Sequence, residues 1–194
     1  MPITYTNRKG LTYYLCKTLT KSGKSRYVFT REPKGEPVEQ VPEGYAIRES
    51  VNGVVSLVKE RPMQIRPEEI AAVERVLARH PSRRNYRVSV KPEQIEIYER
   101  VGADPGGLVE TLRHEGLLFG DAADKVQATM DRHAQFSPIM RFTLLDADRR
   151  QFGAERWCFL GSIDDWIRID FGPIDKLAQR LIPKLGSDEF FELF

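Results

Sequence analysis

Residues 11–18 (Leu-Thr-Tyr-Tyr-Leu-Cys-Lys-Thr) and 25–31 (Ser-Arg-Tyr-Val-Phe-Thr-Arg) are two β-favouring segments that flank a turn-forming stretch, residues 21–24 (Lys-Ser-Gly-Lys). This pattern predicts a β-hairpin. Because side chains alternate along a strand, Tyr27 and Phe29 share one face of the hairpin and Arg26 lies on the other. The hairpin is short, so its aromatic face needs something to pack against.

The rest of the chain continues with hairpins and helices. Asn52-Gly53, the strongest short hairpin signal, separates strand-like residues 45–49 from residues 54–59. Pro67 with the glutamates that follow it is typical of a helix start. Further strands are predicted at residues 86–90, 94–98, 139–145 and 156–160, and further helices over 108–118, from 121 and from 172. The predicted fold class is α+β: an antiparallel β-sheet built from successive hairpins, packed with about four helical segments.

The chain divides weakly near residue 62. Residues 1–62 form a basic β-rich N-terminal hairpin region and residues 63–194 an α+β region, unless the two make one continuous domain. No apolar run approaches the roughly 20 residues that span a bilayer, and the N-terminus lacks the layout of a signal peptide. We therefore expect a cytoplasmic protein without membrane contact. Cys16 and Cys158 each lie in an apolar run, which predicts buried free thiols.

Charge is distributed unevenly along the chain. The first 35 residues carry eight basic side chains and one acidic one, a net +7, whereas the whole chain is +2 and the remainder therefore −5. A basic segment containing aromatic side chains is typical of nucleic-acid binding, in which cations meet phosphates and rings stack on bases. The predicted nucleic-acid-binding residues are Lys21, Lys24, Arg26, Tyr13, Tyr14 and Tyr27, and a second basic set that can extend this surface is Arg79, Arg83, Arg84 and Arg87. The competing interpretation places the tyrosines in the core and leaves the charges as a solvated face.

Three stretches of the N-terminal region resemble a group of uncharacterised bacterial proteins. They are residues 5–10 (Tyr-Thr-Asn-Arg-Lys-Gly), 21–27 (Lys-Ser-Gly-Lys-Ser-Arg-Tyr) and 41–45 (Val-Pro-Glu-Gly-Tyr). The resemblance covers about the first 60 residues. It implies a bacterial origin and transfers no activity, ligand or site residue.

Catalytic and metal-binding motifs are missing from the sequence. Gly23-Lys24-Ser25 resembles the end of a phosphate-binding loop, but position 18 is Thr18 rather than glycine and a strand, not a helix, is predicted to follow. The histidines (His80, His114 and His133) fit no zinc pattern, so no metal or cofactor is predicted. An alternative hypothesis is an enzyme acting on a phosphorylated or nucleotide substrate, with candidates Asp164, Asp165, His114 and His133. The simpler interpretation has Ser162 or Asp164 capping a short helical turn at Trp166 and Ile167.

A third hypothesis is a protein-interaction subunit or homodimer. The C-terminal residues 188–194 (Asp-Glu-Phe-Phe-Glu-Leu-Phe) combine acidic and aromatic side chains, as in a peptide that docks into a partner. Exposing so many large apolar side chains is costly, so we expect the last helix to extend into this tail and its phenylalanines to fold back on the core.

Overall fold

The computed structural model describes residues 1–102, 105–117, 119–159 and 164–193. The strands are β1 (Thr4–Thr6), β2 (Thr12–Leu19), β3 (Ser25–Thr30), β4 (Glu36–Pro37), β5 (Tyr45–Glu49), β6 (Val55–Lys59), β7 (Tyr86–Lys91), β8 (Gln94–Arg100), β9 (Phe136–Asp146), β10 (Gln151–Phe159) and β11 (Asp164–Gly172). The helices are α1 (Pro67–Leu77), α2 (Pro105–His114), α3 (Asp121–His133), α4 (Ile174–Leu181) and α5 (Asp188–Phe191). Successive antiparallel hairpins with helices confirm the α+β class. Within the described ranges, no helix is long and apolar enough to cross a membrane.

The chain forms two compact units. The first contains residues 1–61 together with residues 103–134, and the second contains residues 62–102 and 135–194. Along the chain, helices α2 and α3 lie between β8 and β9, which belong to the second unit. Both helices nevertheless belong to the same compact unit as the N-terminal strands.

In the first unit, β2 is the central strand of a small sheet. It pairs antiparallel with β1, β3 and the short β4, whereas β5 and β6 form a separate two-stranded sheet. Leu15 and Cys16 are adjacent in β2 and both fully buried, so the sheet is covered on both faces at this point. Cys16 is a free thiol, as expected from the sequence, and Cys158 is free but only partly buried.

Asn7 joins two turns of the first unit. Its buried side-chain oxygen accepts the backbone N–H groups of Lys9 (3.0 Å) and Leu11 (2.9 Å), and its amide nitrogen donates to the Gly53 carbonyl at 2.6 Å. Gly53 has a φ of +78°, and a Cβ there would lie 3.2 Å from the Asn7 amide nitrogen. The predicted Asn52-Gly53 turn is therefore confirmed and packs closely against another part of its unit.

The second unit is a five-stranded antiparallel sheet in the order β11-β10-β9-β8-β7. Helices α1 and α4 pack together against it, with Val73 and Leu177 among their buried side chains. The sheet face towards these helices carries the fully buried side chains Ile95, Ile97, Met140, Phe142, Phe152 and Ala154. Alternate residues of the same strands must therefore face the other side of the sheet.

Glu69 anchors the start of α1. Its carboxylate accepts the backbone N–H of Arg66 at 2.7 Å and is gripped by the Arg150 guanidinium, with Nε–Oε1 at 2.8 Å and Nη2–Oε2 at 2.5 Å. Burial alone would raise the pKa of Glu69, but the hydrogen bonds from Arg150 and Arg66 outweigh it, so the pKa lies below its ordinary value. A negative charge in the first turn also suits the positive end of the helix dipole.

Two sequence expectations are corrected in the C-terminal part. Trp166 and Ile167 lie in strand β11, so the expectation of a short helical turn there is wrong, and the proposed cap Ser162 lies outside the described residues. The last helix does not extend into the tail, because α4 ends at Leu181 and α5 is a separate short helix. Phe190 is buried as expected, but Phe191 is 56% exposed. Phe194 lies outside the described residues.

Candidate nucleic-acid interface

The turn between β2 and β3 presents the lysines of the predicted site. The Thr20 N–H donates to the Lys24 carbonyl at 2.8 Å, and the Lys24 N–H donates to the Thr20 hydroxyl at 3.1 Å. Gly23 donates its N–H to the Thr20 carbonyl at 2.9 Å and has a φ of +76°, a conformation that suits glycine. These bonds fix the backbone of the turn, from which the exposed Lys21 and Lys24 project.

Arg26 lies just beyond this turn on one face of the β2–β3 ladder. It is exposed and lies opposite Thr18, while Tyr14 lies opposite Thr30 on the same face. Four residues of extended strand separate the two positions, which is about 13 Å along the ladder. Tyr14 is therefore the candidate ring that shares a face with Arg26.

The other two tyrosines lie on the opposite face. Tyr27 packs against Tyr45, with ring centroids 6.5 Å apart and the planes tilted by 53°. Tyr13 lies opposite Tyr5, whose hydroxyl donates to the Glu49 carboxylate at 3.1 Å. This bond to Glu49 raises the pKa of the Tyr5 hydroxyl. Tyr13 and Tyr27 thus belong to the half-buried face that Leu15 occupies, and the alternation of a strand separates them from Arg26.

Three cations near the turn have no carboxylate partner among the described residues. Within the part of the chain that the structure describes, Lys21, Lys24 and Arg26 form no ion pair within 4 Å, whereas Lys34 pairs with Glu32 at 3.5 Å. Exposed cations without a carboxylate partner keep their full attraction for an external anion. The turn and the start of β3 therefore form a small basic surface, which we call the hairpin tip: Lys21, Lys24 and Arg26.

The candidate catalytic residues are distributed over both units. Asp164 and Asp165 are consecutive in β11, so their side chains leave opposite faces of the sheet in the second unit. His114 and His133 are exposed residues at the ends of α2 and α3, in the first unit. Among the described residues, no group of three or more histidine, cysteine or carboxylate side chains is placed to hold a metal ion.

Three of the four arginines of the second basic set lie around one depression. Arg83, Arg84 and Arg87 line a shallow depression of about 340 Å³ in the second unit. Arg79 is exposed and does not line it.

The structure also reveals a charged network that sequence patterns did not predict. Arg141 in β9 holds Glu155 in β10 through two bonds, Nε–Oε2 at 2.7 Å and Nη2–Oε1 at 3.2 Å, and the Thr143 hydroxyl donates to the same carboxylate at 3.0 Å. The Arg141 guanidinium lies 4.3 Å from the centre of the Trp166 ring. Burial would raise the pKa of Glu155, but the bonds from Arg141 and Thr143 outweigh it and lower the pKa. A carboxylate held ionised in this way is a poor proton acceptor near neutral pH.

Strand register extends this network across the sheet. Glu96 lies opposite Arg141, and Glu155 lies opposite Arg168, so acidic and basic residues alternate across four strands. Glu96 is only 3% exposed and accepts bonds from Lys91 (2.6 Å) and the Tyr98 hydroxyl (2.9 Å). In the sequence, Arg141 and Thr143 alternate with apolar residues over 139–145, which indicates a polar face of this strand. Their partners on neighbouring strands depend on strand register, which the sequence does not show.

Strand β11 is an edge of the five-stranded sheet, which bears on the protein-partner hypothesis. The Trp166 N–H donates to the Asp165 carboxylate at 2.7 Å, and the Phe171 N–H donates to the Asp170 carboxylate at 2.8 Å. Backbone donors occupied by neighbouring side chains are less able to pair with another strand, and charged side chains on an edge oppose such pairing.

No known protein family, curated protein or solved structure shows a significant match to this chain.

Proposed function

We propose that this protein is a nucleic-acid-binding module that contacts phosphates through the hairpin tip. The observation that carries the proposal is the exposure of Lys21, Lys24 and Arg26 without an ion-pair partner among the described residues. Each cation that meets a phosphate releases condensed counterions, so the expected affinity depends strongly on salt.

The proposal assigns base stacking to Tyr14. Tyr14 is half-buried and shares a strand face with Arg26, whereas Tyr27 already packs against Tyr45. A ring on the same strand face as Arg26 favours single strands, whose bases are free to stack, and such stacking contributes about 1–3 kcal/mol per base. Sequence specificity is not expected, because phosphate and stacking contacts do not distinguish bases.

Fluorescence anisotropy of labelled single- and double-stranded oligonucleotides tests this proposal. The test variant is Lys24→Glu/Arg26→Glu. Its matched control is Lys125→Glu/Lys176→Glu, which makes the same charge change at two exposed positions outside the β2–β3 hairpin. We expect binding by the native protein, preference for the single strand, and loss of affinity in the hairpin variant that exceeds the loss in the control. Equal losses of oligonucleotide affinity in the two variants would indicate a general effect of net charge. That result would reject the hairpin tip as the binding surface.

A further inference from the structure

The depression in the second unit lies where helix α1 ends and strand β7 begins. Arg83 and Arg84 belong to a 3₁₀ turn (Arg83–Asn85), and Arg87 follows in β7. The depression is open, with a volume of about 340 Å³, and its lining residues are Glu74, Leu77, Ala78, Arg83, Arg84 and Arg87. Three guanidinium groups and one carboxylate give this small surface a net charge of +2.

The Arg87 side chain is held in place by the protein. Its Nη1 donates to the carbonyls of Arg84 (2.9 Å) and Tyr86 (2.7 Å), and the guanidinium carbon lies 4.9 Å from the centre of the Phe136 ring. An arginine whose conformation is already restricted loses less entropy when it contacts a ligand.

The turn that carries Arg83 and Arg84 is also fixed. His80 is buried, its Nε2 lies 3.1 Å from the Leu185 carbonyl, and its Nδ1 accepts the Ser82 N–H at 3.1 Å. Since Nδ1 accepts a bond, Nε2 carries the proton and donates to Leu185. The Arg83 N–H in turn donates to the His80 carbonyl at 3.1 Å. The two exposed arginines therefore project from an ordered backbone.

We propose that this depression binds a phosphate group. Guanidinium groups match the geometry of phosphate oxygens and are less strongly hydrated than ammonium groups, which favours such contacts. The phosphate can belong to a small phosphorylated molecule or to a nucleic-acid backbone, and only the second case rests on the function proposed above. Glu74 opposes the anion from one wall, so removal of its charge should tighten binding.

The same arginines line the depression together with Leu77 and Ala78 at the C-terminal end of α1, where cations are favourable without any ligand. That effect contributes to folding and predicts no saturable binding of phosphate. Ligand binding and helix stability are therefore separable by experiment.

The test is isothermal titration calorimetry of the 194-residue chain with pyrophosphate at constant ionic strength. The variants are Arg83→Gln/Arg84→Gln and Glu74→Gln. The matched control is Arg75→Gln/Arg79→Gln, in which Arg75 lies in α1 and Arg79 follows its end, and neither lines the depression. We expect saturable binding, a loss of roughly tenfold or more in the first variant, tighter binding in Glu74→Gln, and a change of less than about twofold in the control. Absence of saturable binding by the native protein, or equal losses in both double variants, would overturn the site.

A second arm identifies the source of the phosphate and separates this site from the hairpin tip. Arg83→Gln/Arg84→Gln should lose pyrophosphate binding even if the native protein binds no oligonucleotide, so failure of the hairpin tip leaves this site testable. A weaker oligonucleotide affinity in Arg83→Gln/Arg84→Gln, with competition by pyrophosphate, identifies backbone phosphate. Oligonucleotide affinity unchanged in that variant, with pyrophosphate binding lost, identifies a small phosphorylated ligand, and both outcomes support the site.

Discussion

Tyr27 packs its ring against Tyr45, with centroids 6.5 Å apart, and thereby joins strand β3 to the β5–β6 hairpin. Arg26 precedes Tyr27 in the same strand and projects from the opposite face. Strand β3 thus carries a packed aromatic ring on one face and an exposed cation on the other. We therefore expect Tyr27 to contribute to stability and Arg26 to contact the ligand.

The Tyr27→Ala substitution should lower the free energy of unfolding by about 1–3 kcal/mol, because it removes a half-buried ring and its aromatic partner contact. Urea unfolding followed by circular dichroism measures the change. The Tyr27→Phe protein should unfold close to the native midpoint, since the ring contact remains. An unchanged midpoint in Tyr27→Ala would show that the contact with Tyr45 contributes little.

The Tyr14→Ala substitution should weaken single-stranded binding by about 1–3 kcal/mol, the value of one base stacked on an aromatic ring. Tyr14→Trp should retain most of the affinity, because the indole offers a stacking surface of its own. Anisotropy titrations of variants shown to be folded provide the comparison. Equal affinity in native protein and Tyr14→Ala would remove stacking from the proposed function.

Asn7→Ala should destabilise the first unit by about 1–3 kcal/mol, because the partly buried N–H groups of Lys9 and Leu11 lose their acceptor. Gly53→Ala should also destabilise it, since a Cβ there meets Asn7 in a backbone conformation that favours glycine. Hydrogen exchange of the Lys9 and Leu11 amides is the direct measurement. Native protection of both amides in Asn7→Ala would contradict the role given to this side chain.

Stability should fall in acid partly through Glu69. Its pKa in the folded protein lies below the ordinary value of 4.5, so the unfolded chain binds the proton more readily. The stabilisation is therefore fully present above about pH 4.5 and is lost as pH falls through the lower folded pKa. Chemical denaturation at a series of pH values should show a shallower acid dependence in Glu69→Gln than in the native protein. An equal dependence of stability on pH in the two proteins would exclude a contribution from Glu69 titration.

The sequence predicted the local elements of the fold well where turn chemistry was strong. Gly23 and the Asn52-Gly53 pair marked the two N-terminal hairpins, and Pro67 marked the start of α1. Strand β11 was missed because Asp164-Asp165 is typical of a helix cap, whereas the structure uses Asp165 to bind the next backbone N–H.

The candidate site was less predictable, because a period of two shows which side chains share a face but not which face is covered. The sequence separated Arg26 from Tyr27, yet the contact between Tyr27 and Tyr45 depends on how two hairpins pack. The Arg141–Glu155 pair depends in the same way on strand register. The grouping of residues 103–134 with the N-terminal strands depends on tertiary packing, which local sequence patterns do not predict.

The most direct test of the central claim is the salt dependence of single-stranded oligonucleotide binding. Three phosphate contacts from the hairpin tip predict a slope of log affinity against log salt of about −2. Loss of Lys24 and Arg26 should reduce its magnitude by about 1.4, while Lys125→Glu/Lys176→Glu leaves the slope near the native value. Binding whose slope is the same in native protein and Lys24→Glu/Arg26→Glu, or no binding by the native protein at low salt, would contradict the account.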